Sequence, residues 1–126
     1  MTKENFKTVV LGASPNPGRY SYLAANLLQK NGIETIPVGL RDGEINGLKI
    51  HSDRPTVEDV HTITLYVGPQ HQSVYYDYIL SLSPKRIIFN PGTENEELMK
   101  LTAAQGIHNE VACTLVLLNL GIYKEA

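Results

Sequence analysis

Between Gly12 and Ser21 the chain reads Gly-Ala-Ser-Pro-Asn-Pro-Gly-Arg-Tyr-Ser. Its residue types suit one kind of chemistry, the holding of a phosphate-like anion. Gly12 and Gly18 lack a Cβ, so the backbone can approach a bulky group closely. A helix opening at Tyr20 or Ser21 would present free N–H groups and the positive end of its dipole, a ready anion site. Ser14, Asn16 and Ser21 supply neutral donors, and the Arg19 guanidinium can grip a phosphate bidentately. A cation at a helix start opposes the dipole, so a bound anion would resolve a local conflict. By spacing alone, the run is also what any strand-to-helix turn needs, and G-x-S-x-x-x-G is not the G-x-G-x-x-G dinucleotide fingerprint.

The other reactive residue types read more plainly as structure. His71 follows Gly68-Pro69 and could meet a ligand, but it suits a surface position at a helix start. His108, Asn109 and Glu110 suggest catalysis or metal binding less than a polar loop edge. The four histidines show no H-x-x-x-H spacing, and one cysteine cannot build a structural zinc site. Cys113 lies in the apolar run from Val111 to Leu120, which suits a small buried hydrophobe better than a nucleophile lacking a base. Glu94, Glu96 and Glu97 resemble paired carboxylates, yet acids in a helix's first turn complement its dipole. No nucleophile, base and oxyanion donors fall together, so a catalytic role is not indicated. Of Tyr75, Tyr76 and Tyr78, two are expected to pack and one to be exposed, where a homodimer contact could form.

These residues need a scaffold, and the pattern of apolar runs alternating with helical spacings implies one. Such alternation signals βαβ units and a parallel sheet. Strands are expected at Phe6–Leu11, Ile33–Val38, Thr62–Val67, Arg86–Phe89 and, more briefly, from Gly106-Ile107-His108. A helix after Ser21 would face inward through Leu23, Ala24, Leu27 and Leu28 and stop at Asn31-Gly32. Asn46-Gly47 between short arms predicts a β-hairpin, and Thr56–Asp59 could cap one helical turn. A second helix is expected over Val74, Tyr75, Tyr78, Ile79 and Leu82. Thr93 with Glu96 fits a capping box for a third, carrying Leu98 and Leu101, and Val111–Leu120 reads as a last buried helix. The expected architecture is a single Rossmann-like, doubly wound α/β domain over residues 1–126. Its sheet is five-stranded and mostly parallel, with a small β-hairpin insertion. Ligands in such folds bind at the carboxyl ends of the strands.

Composition narrows the partners. The chain has 126 residues, 42% hydrophobic and 19% charged, with a formal net charge of −2. That balance leaves no basic footprint for nucleic acid. No apolar run reaches the roughly 20 residues of a membrane helix, and Met1–Lys7 lacks the apolar core of a secretory signal. A cytoplasmic protein with a small nucleotide-type ligand is expected, with a homodimer left open.

The stretch from Val9 to Ser21 resembles the opening of the small CoA-binding domain proteins, stand-alone relatives of the N-terminal domain of the succinyl-CoA synthetase α subunit. The likeness continues through Pro37-Val38, the Glu44–Gly47 hairpin with Leu48-Lys49, Asn90-Pro91-Gly92-Thr93-Glu94-Asn95-Glu96, Gly106-Ile107 and Cys113. The resemblance implies a Rossmann-like fold that binds coenzyme A, or an acyl-CoA, without catalysis. It implies that the turn of Gly12, Ala13, Ser14, Pro15, Asn16, Arg19, Tyr20 and Ser21 holds the CoA phosphates. Pro37, Val38 and Gly39 would border the adenine, and Val67, Gly68 and Pro69 with Asn90, Pro91 and Gly92 would line the pantetheine side. The chain departs from the family at Gly39-Leu40, where Asn-Pro is usual. It departs again at His108-Asn109, which is expected to interrupt a strand that often carries a valine pair.

Two other readings compete. An NAD(P)-dependent oxidoreductase would need an acidic residue about 20 positions past the turn. That place falls at Val38 and Gly39, and Asp42 and Glu44 come slightly late. The third reading is an interaction module that keeps the fold without a ligand.

Overall fold

The computed structural model describes residues 5–125; the extreme ends of the expected 1–126 domain lie outside the described residues. Five short strands form one parallel sheet: β1 (Thr8–Leu11), β2 (Thr35–Val38), β5 (Thr62–Leu65), β6 (Arg86–Phe89) and β7 (His108–Val111). Their order is β2-β1-β5-β6-β7. Every residue of β1, β5 and β6 is buried, as expected of a parallel sheet covered on both faces.

Successive strand residues point to opposite faces, and the core divides accordingly. Val9, Leu11, Ile63, Leu65, Ile87 and Phe89 pack on one side with α2 (Tyr76–Leu82) and α3 (Glu96–Ala104), through Ile79, Leu82 and Leu98. Val10 and Ile88 pack on the other with α1 (Tyr20–Lys30) and α4 (Thr114–Asn119), through Ala25, Leu28, Leu117 and Leu118. The doubly wound architecture expected from the alternating pattern is the observed one.

The hairpin comprises β3 (Gly43–Ile45) and β4 (Leu48–Ile50), paired antiparallel. Its turn residues Asn46 and Gly47 both have positive φ, 49° and 85°, the conformation that Asn-Gly adopts at least cost. The chain leaving β4 then docks parallel to the end of β2. The His51 amide donates to the Pro37 carbonyl at 2.9 Å, and the Gly39 amide donates to the His51 carbonyl at 3.0 Å. Pro37 turns its missing N–H to this side rather than toward β1, which is why a proline is tolerated here.

Several local expectations are corrected. α1 buries Ser21, Ala24, Ala25 and Leu28 and leaves Leu23 exposed; the small residues at i, i+3 and i+4 let the helix lie close to the sheet. Thr56–Asp59 forms no helical turn, and Asp59 stands at φ 58°. Two 3-10 turns, Pro69–His71 and Ser73–Tyr75, precede α2, so Val74 is exposed. Tyr75 is buried and Tyr76 and Tyr78 are half-buried, so none of the three is exposed. Asn95, not Thr93, caps α3: its side-chain oxygen accepts from the Glu97 and Leu98 amides. The Thr93 hydroxyl is committed to the Asn90 carbonyl at 2.7 Å. His108 and Asn109 do not interrupt β7, which pairs with β6 in unbroken register. Val111–Leu120 is only partly helical, with Val111, Val116 and Leu120 exposed.

Candidate functional site

The order of the sheet places the reversal of winding between β1 and β5, where a doubly wound fold opens a crevice at its carboxyl edge. All the predicted site residues stand at that edge. The turn 12–21 follows β1, Pro37 to Gly39 end and follow β2, Val67 to Pro69 follow β5, and Asn90 to Gly92 follow β6.

The first turn is anchored from below. The amides of Gly12 and Ala13 both donate to the Val38 carbonyl, at 2.9 and 3.0 Å, so neither faces a ligand. Gly12 has φ 95°, and a Cβ there would come within 2.8 Å of the Tyr66 main chain. Higher in the turn, the Asn16 amide donates to Ser14 Oγ and the Gly18 amide to Asn16 Oδ1. The Arg19 amide donates to the Asn16 carbonyl at 3.0 Å. Pro15 and Pro17 have no amide proton to satisfy.

What remains is a small set of donors with nowhere to go. Among the described residues, no protein acceptor takes the amides of Ser14, Tyr20 or Ser21. Helix α1 begins with no side-chain cap and no acid in its first turn, and its N-cap position is held by the exposed Arg19. Among the described residues, Arg19 forms no ion pair. Helix α3 is the contrast, capped by Asn95 and carrying Glu96 and Glu97 in its first turn. One helix end is thus internally neutralised, and the other presents bare amides beside a free guanidinium.

The β2 exit acts as a post for this turn. Pro37, Val38 and Gly39 are buried, and their main-chain groups bond to Gly12, Ala13 and His51. A Cβ on Gly39 would collide with the Ala13 carbonyl oxygen, so glycine at this departure from the family pattern lets the first turn sit directly on β2.

On the other side of the crevice, Asn90 is buried and saturated. Its Nδ2 donates to Thr64 Oγ1 at 2.8 Å and to the Leu65 carbonyl at 2.9 Å, and its Oδ1 accepts from the Thr114 amide at 2.9 Å. Asn90 therefore ties β5, β6 and α4 together, and its side chain has no donor to spare. Pro91 and Gly92 are exposed, and the Gly92 amide is held by Glu94 at 2.7 Å. Gly68 caps the 3-10 turn led by Pro69, and Val67 is half-buried.

Gln72 was not singled out by sequence. It is fully buried; its Nε2 donates to the Val67 and Thr93 carbonyls, each at 2.8 Å, and its Oε1 accepts from Asn95 Nδ2 at 2.9 Å. This side chain clamps the β5 exit to the β6 exit and to the cap of α3. A polar residue three places after Pro69 carries no local signal of that role.

The remaining reactive groups disperse. His71 is exposed. His108 Nε2 lies 2.9 Å from Glu110 Oε2, whereas Asn109 turns to α3 and bonds Met99 and Thr102. The three are thus part of an edge strand and not a loop. Cys113 is half-buried at the start of α4. Nearby, the Tyr66 hydroxyl is buried beside Thr64 and Thr114 without a hydrogen bond of ordinary geometry, and burial drives its pKa far above the usual tyrosine value. No group of three His, Cys, Asp or Glu able to hold a metal occurs among the described residues. No helix among them is long and apolar enough to cross a membrane.

With this geometry in hand, comparison with known proteins is decisive on one point. The profile of the CoA binding domain matches residues 7–119. The chain belongs to the CoA-binding domain family. Membership supports a CoA-binding role in general and assigns no particular ligand. A crystal structure of an uncharacterized protein shares 52% identity with this CoA-binding domain over 95% of its length and 99% of the other chain, with a TM-score of 0.91. A conserved hypothetical protein from Pyrococcus furiosus shares 30% identity over 82% and 90% of the two chains, with a TM-score of 0.72. A hypothetical protein from Pyrococcus horikoshii OT3 shares 26% identity over 89% and 80%, with a TM-score of 0.76. No curated protein matches the sequence.

Proposed function

We propose that the domain formed by residues 1–126 binds coenzyme A or an acyl-CoA non-covalently, with the diphosphate at the turn from Gly12 to Ser21. One observation carries the reading: the uncapped start of α1, where the amides of Ser14, Tyr20 and Ser21 and the Arg19 guanidinium lack protein partners among the described residues. Free amides at a helix end together with an uncompensated cation stabilise an anion at the same spot. CoA would supply that anion, and the family assignment supports it.

In this reading Pro37, Val38 and Gly39 shape the adenine side and support the turn from below. Val67, Gly68 and Pro69 form one wall toward the pantetheine, and Pro91 and Gly92 the other. Asn90 and Gln72 act as positioning residues that hold those walls. Calorimetric titration with CoA, acetyl-CoA, ADP, NAD and NADP tests the reading. Preference for CoA or acetyl-CoA over the other nucleotides is the expected result, and heat with none of them would refute it.

A further inference from the structure

The sheet has two edges, and the described chain covers only one of them. Along β2 the segment leaving β4 runs alongside and bonds through His51. At the opposite edge β7 pairs with β6 alone. The amides of His108 and Ala112 donate toward β6, to the Lys85 and Phe89 carbonyls at 3.0 and 3.2 Å. Alternation along a parallel ladder turns the Glu110 main chain the same way and aims that of Asn109 and Val111 outward. Among the described residues, no main-chain or side-chain group takes the amide or carbonyl of Asn109 or Val111. Val111 is also an apolar side chain left 61% exposed.

An open edge is a template for another strand, and the side chains of β7 select which strand fits. His108 and Glu110 project from one face of β7, the face on which Ile88 meets α1 and α4. Asn109 turns the other way and bonds α3. The sequence His-Asn-Glu is therefore complementary to itself when reversed about Asn109. Two antiparallel copies in that register exchange both main-chain bonds at Asn109 and set each His108 directly opposite Glu110 of the other copy. Opposite charges facing each other across two strands stabilise the pairing, and like charges oppose it. The alternative register, centred on Glu110, would bring two carboxylates face to face. Within one chain His108 Nε2 and Glu110 Oε2 lie 2.9 Å apart, so Nδ1 and Oε1 remain for the cross-strand contact.

We propose that β7 is a self-complementary edge through which two copies of this chain form a two-fold dimer, pairing antiparallel about Asn109. The contact is isologous and closes on itself, so it makes a dimer and no longer polymer. Because the paired strands run in opposite directions, the two carboxyl edges point opposite ways and both crevices stay open. A strand of four residues gives a small interface, so the association is reversible and weak.

Sedimentation equilibrium of the full chain across the micromolar range, with amide hydrogen exchange on the same samples, tests the proposal. Wild type is expected to pass from monomer to dimer, and the Asn109 and Val111 amides should slow as the concentration rises. H108E sets acid against acid at both contacts, and E110K sets a cation against His108 at both. Each alone should associate about tenfold more weakly than wild type. An equimolar mixture of the two restores opposite charges at both contacts and should recover association near the wild-type strength, which a merely structural defect in either variant would not allow. A wild type that stays monomeric overturns the proposal, even if its β7 edge captures some other strand. A dimer whose Asn109 and Val111 amides exchange at the monomer rate, or a mixture no stronger than its components, overturns it as well.

Discussion

Replacing Gln72 by methionine isolates the energetic worth of the clamp across the carboxyl edge. Methionine keeps the length and nearly the volume of glutamine, so little cavity is opened and the change is one of hydrogen bonding. Three bonds are lost: those from Nε2 to the Val67 and Thr93 carbonyls, and that from Asn95 Nδ2 to Oε1. Asn95 keeps a second acceptor, Tyr76 Oη at 2.8 Å, so the cost falls on the two carbonyls. A buried polar group left unsatisfied costs about 1–3 kcal/mol. Taking about 2 for the buried Thr93 site and about 1 for the half-buried Val67 site gives about 3 kcal/mol by the same scale. For a domain of this size that corresponds to a fall of about 10 °C in Tm. Urea unfolding and calorimetric melting of the ligand-free protein measure both quantities. Gln72→Glu, which keeps the acceptor and loses the donors, should be destabilised at least as much. A methionine variant that melts within about 2 °C of wild type would show that water or loop relaxation satisfies these carbonyls, and the clamp would be dismissed.

Other outcomes follow from the same structure. Arg19→Ala should weaken CoA binding about fivefold or more, while the ligand-free melting temperature stays level or rises, because a cation leaves the positive end of α1; unchanged affinity by calorimetry would make Arg19 incidental. Gly39→Ala should destabilise by about 2 kcal/mol in urea unfolding, since the new Cβ meets the Ala13 carbonyl and main chain yields less readily than a side chain; wild-type stability would contradict the close approach. The Tyr78 hydroxyl donates to the Pro55 carbonyl at 2.7 Å. Its pKa is pushed up to about 12, first by burial and then by the charge of Asp53. A raised value favours the neutral phenol in the folded state, so its contribution is complete below the ordinary tyrosine pKa of 10.0 and drains away as pH climbs toward 12. Melting curves from pH 9 to 12 should fall more steeply for wild type than for Tyr78→Phe, and parallel curves would rule out the linkage.

The features legible from sequence were those written in adjacent residues. Runs rich in apolar and β-branched residues announced β1, β5 and β6, because a strand covered on both faces is largely apolar; Thr8, Thr62, Thr64 and Arg86 are the buried polar members of those runs. Asn46-Gly47 announced its hairpin, because positive φ at two successive positions selects those residue types. The glycine and proline content of 12–18 announced a turn that competes poorly for its own donors. Features that depend on distant partners were not legible. Thr93 looked like the cap of α3 until its hydroxyl was taken by Asn90, which passed the role to Asn95. Gln72 meets Thr93 across 21 positions, and no periodicity encodes such a contact. The amides of Gly12 and Ala13 looked available in sequence and are consumed by Val38; those of Ser14, Tyr20 and Ser21 are not.

Sequence alone thus determined the layering of the domain, its strand order of appearance and the place of the glycine- and proline-rich turn after β1, since hydrophobic period and backbone freedom are local properties. Tertiary structure alone decided which donors remain unspent and which loops brace the crevice, because a hydrogen bond is settled only when both partners have been brought together.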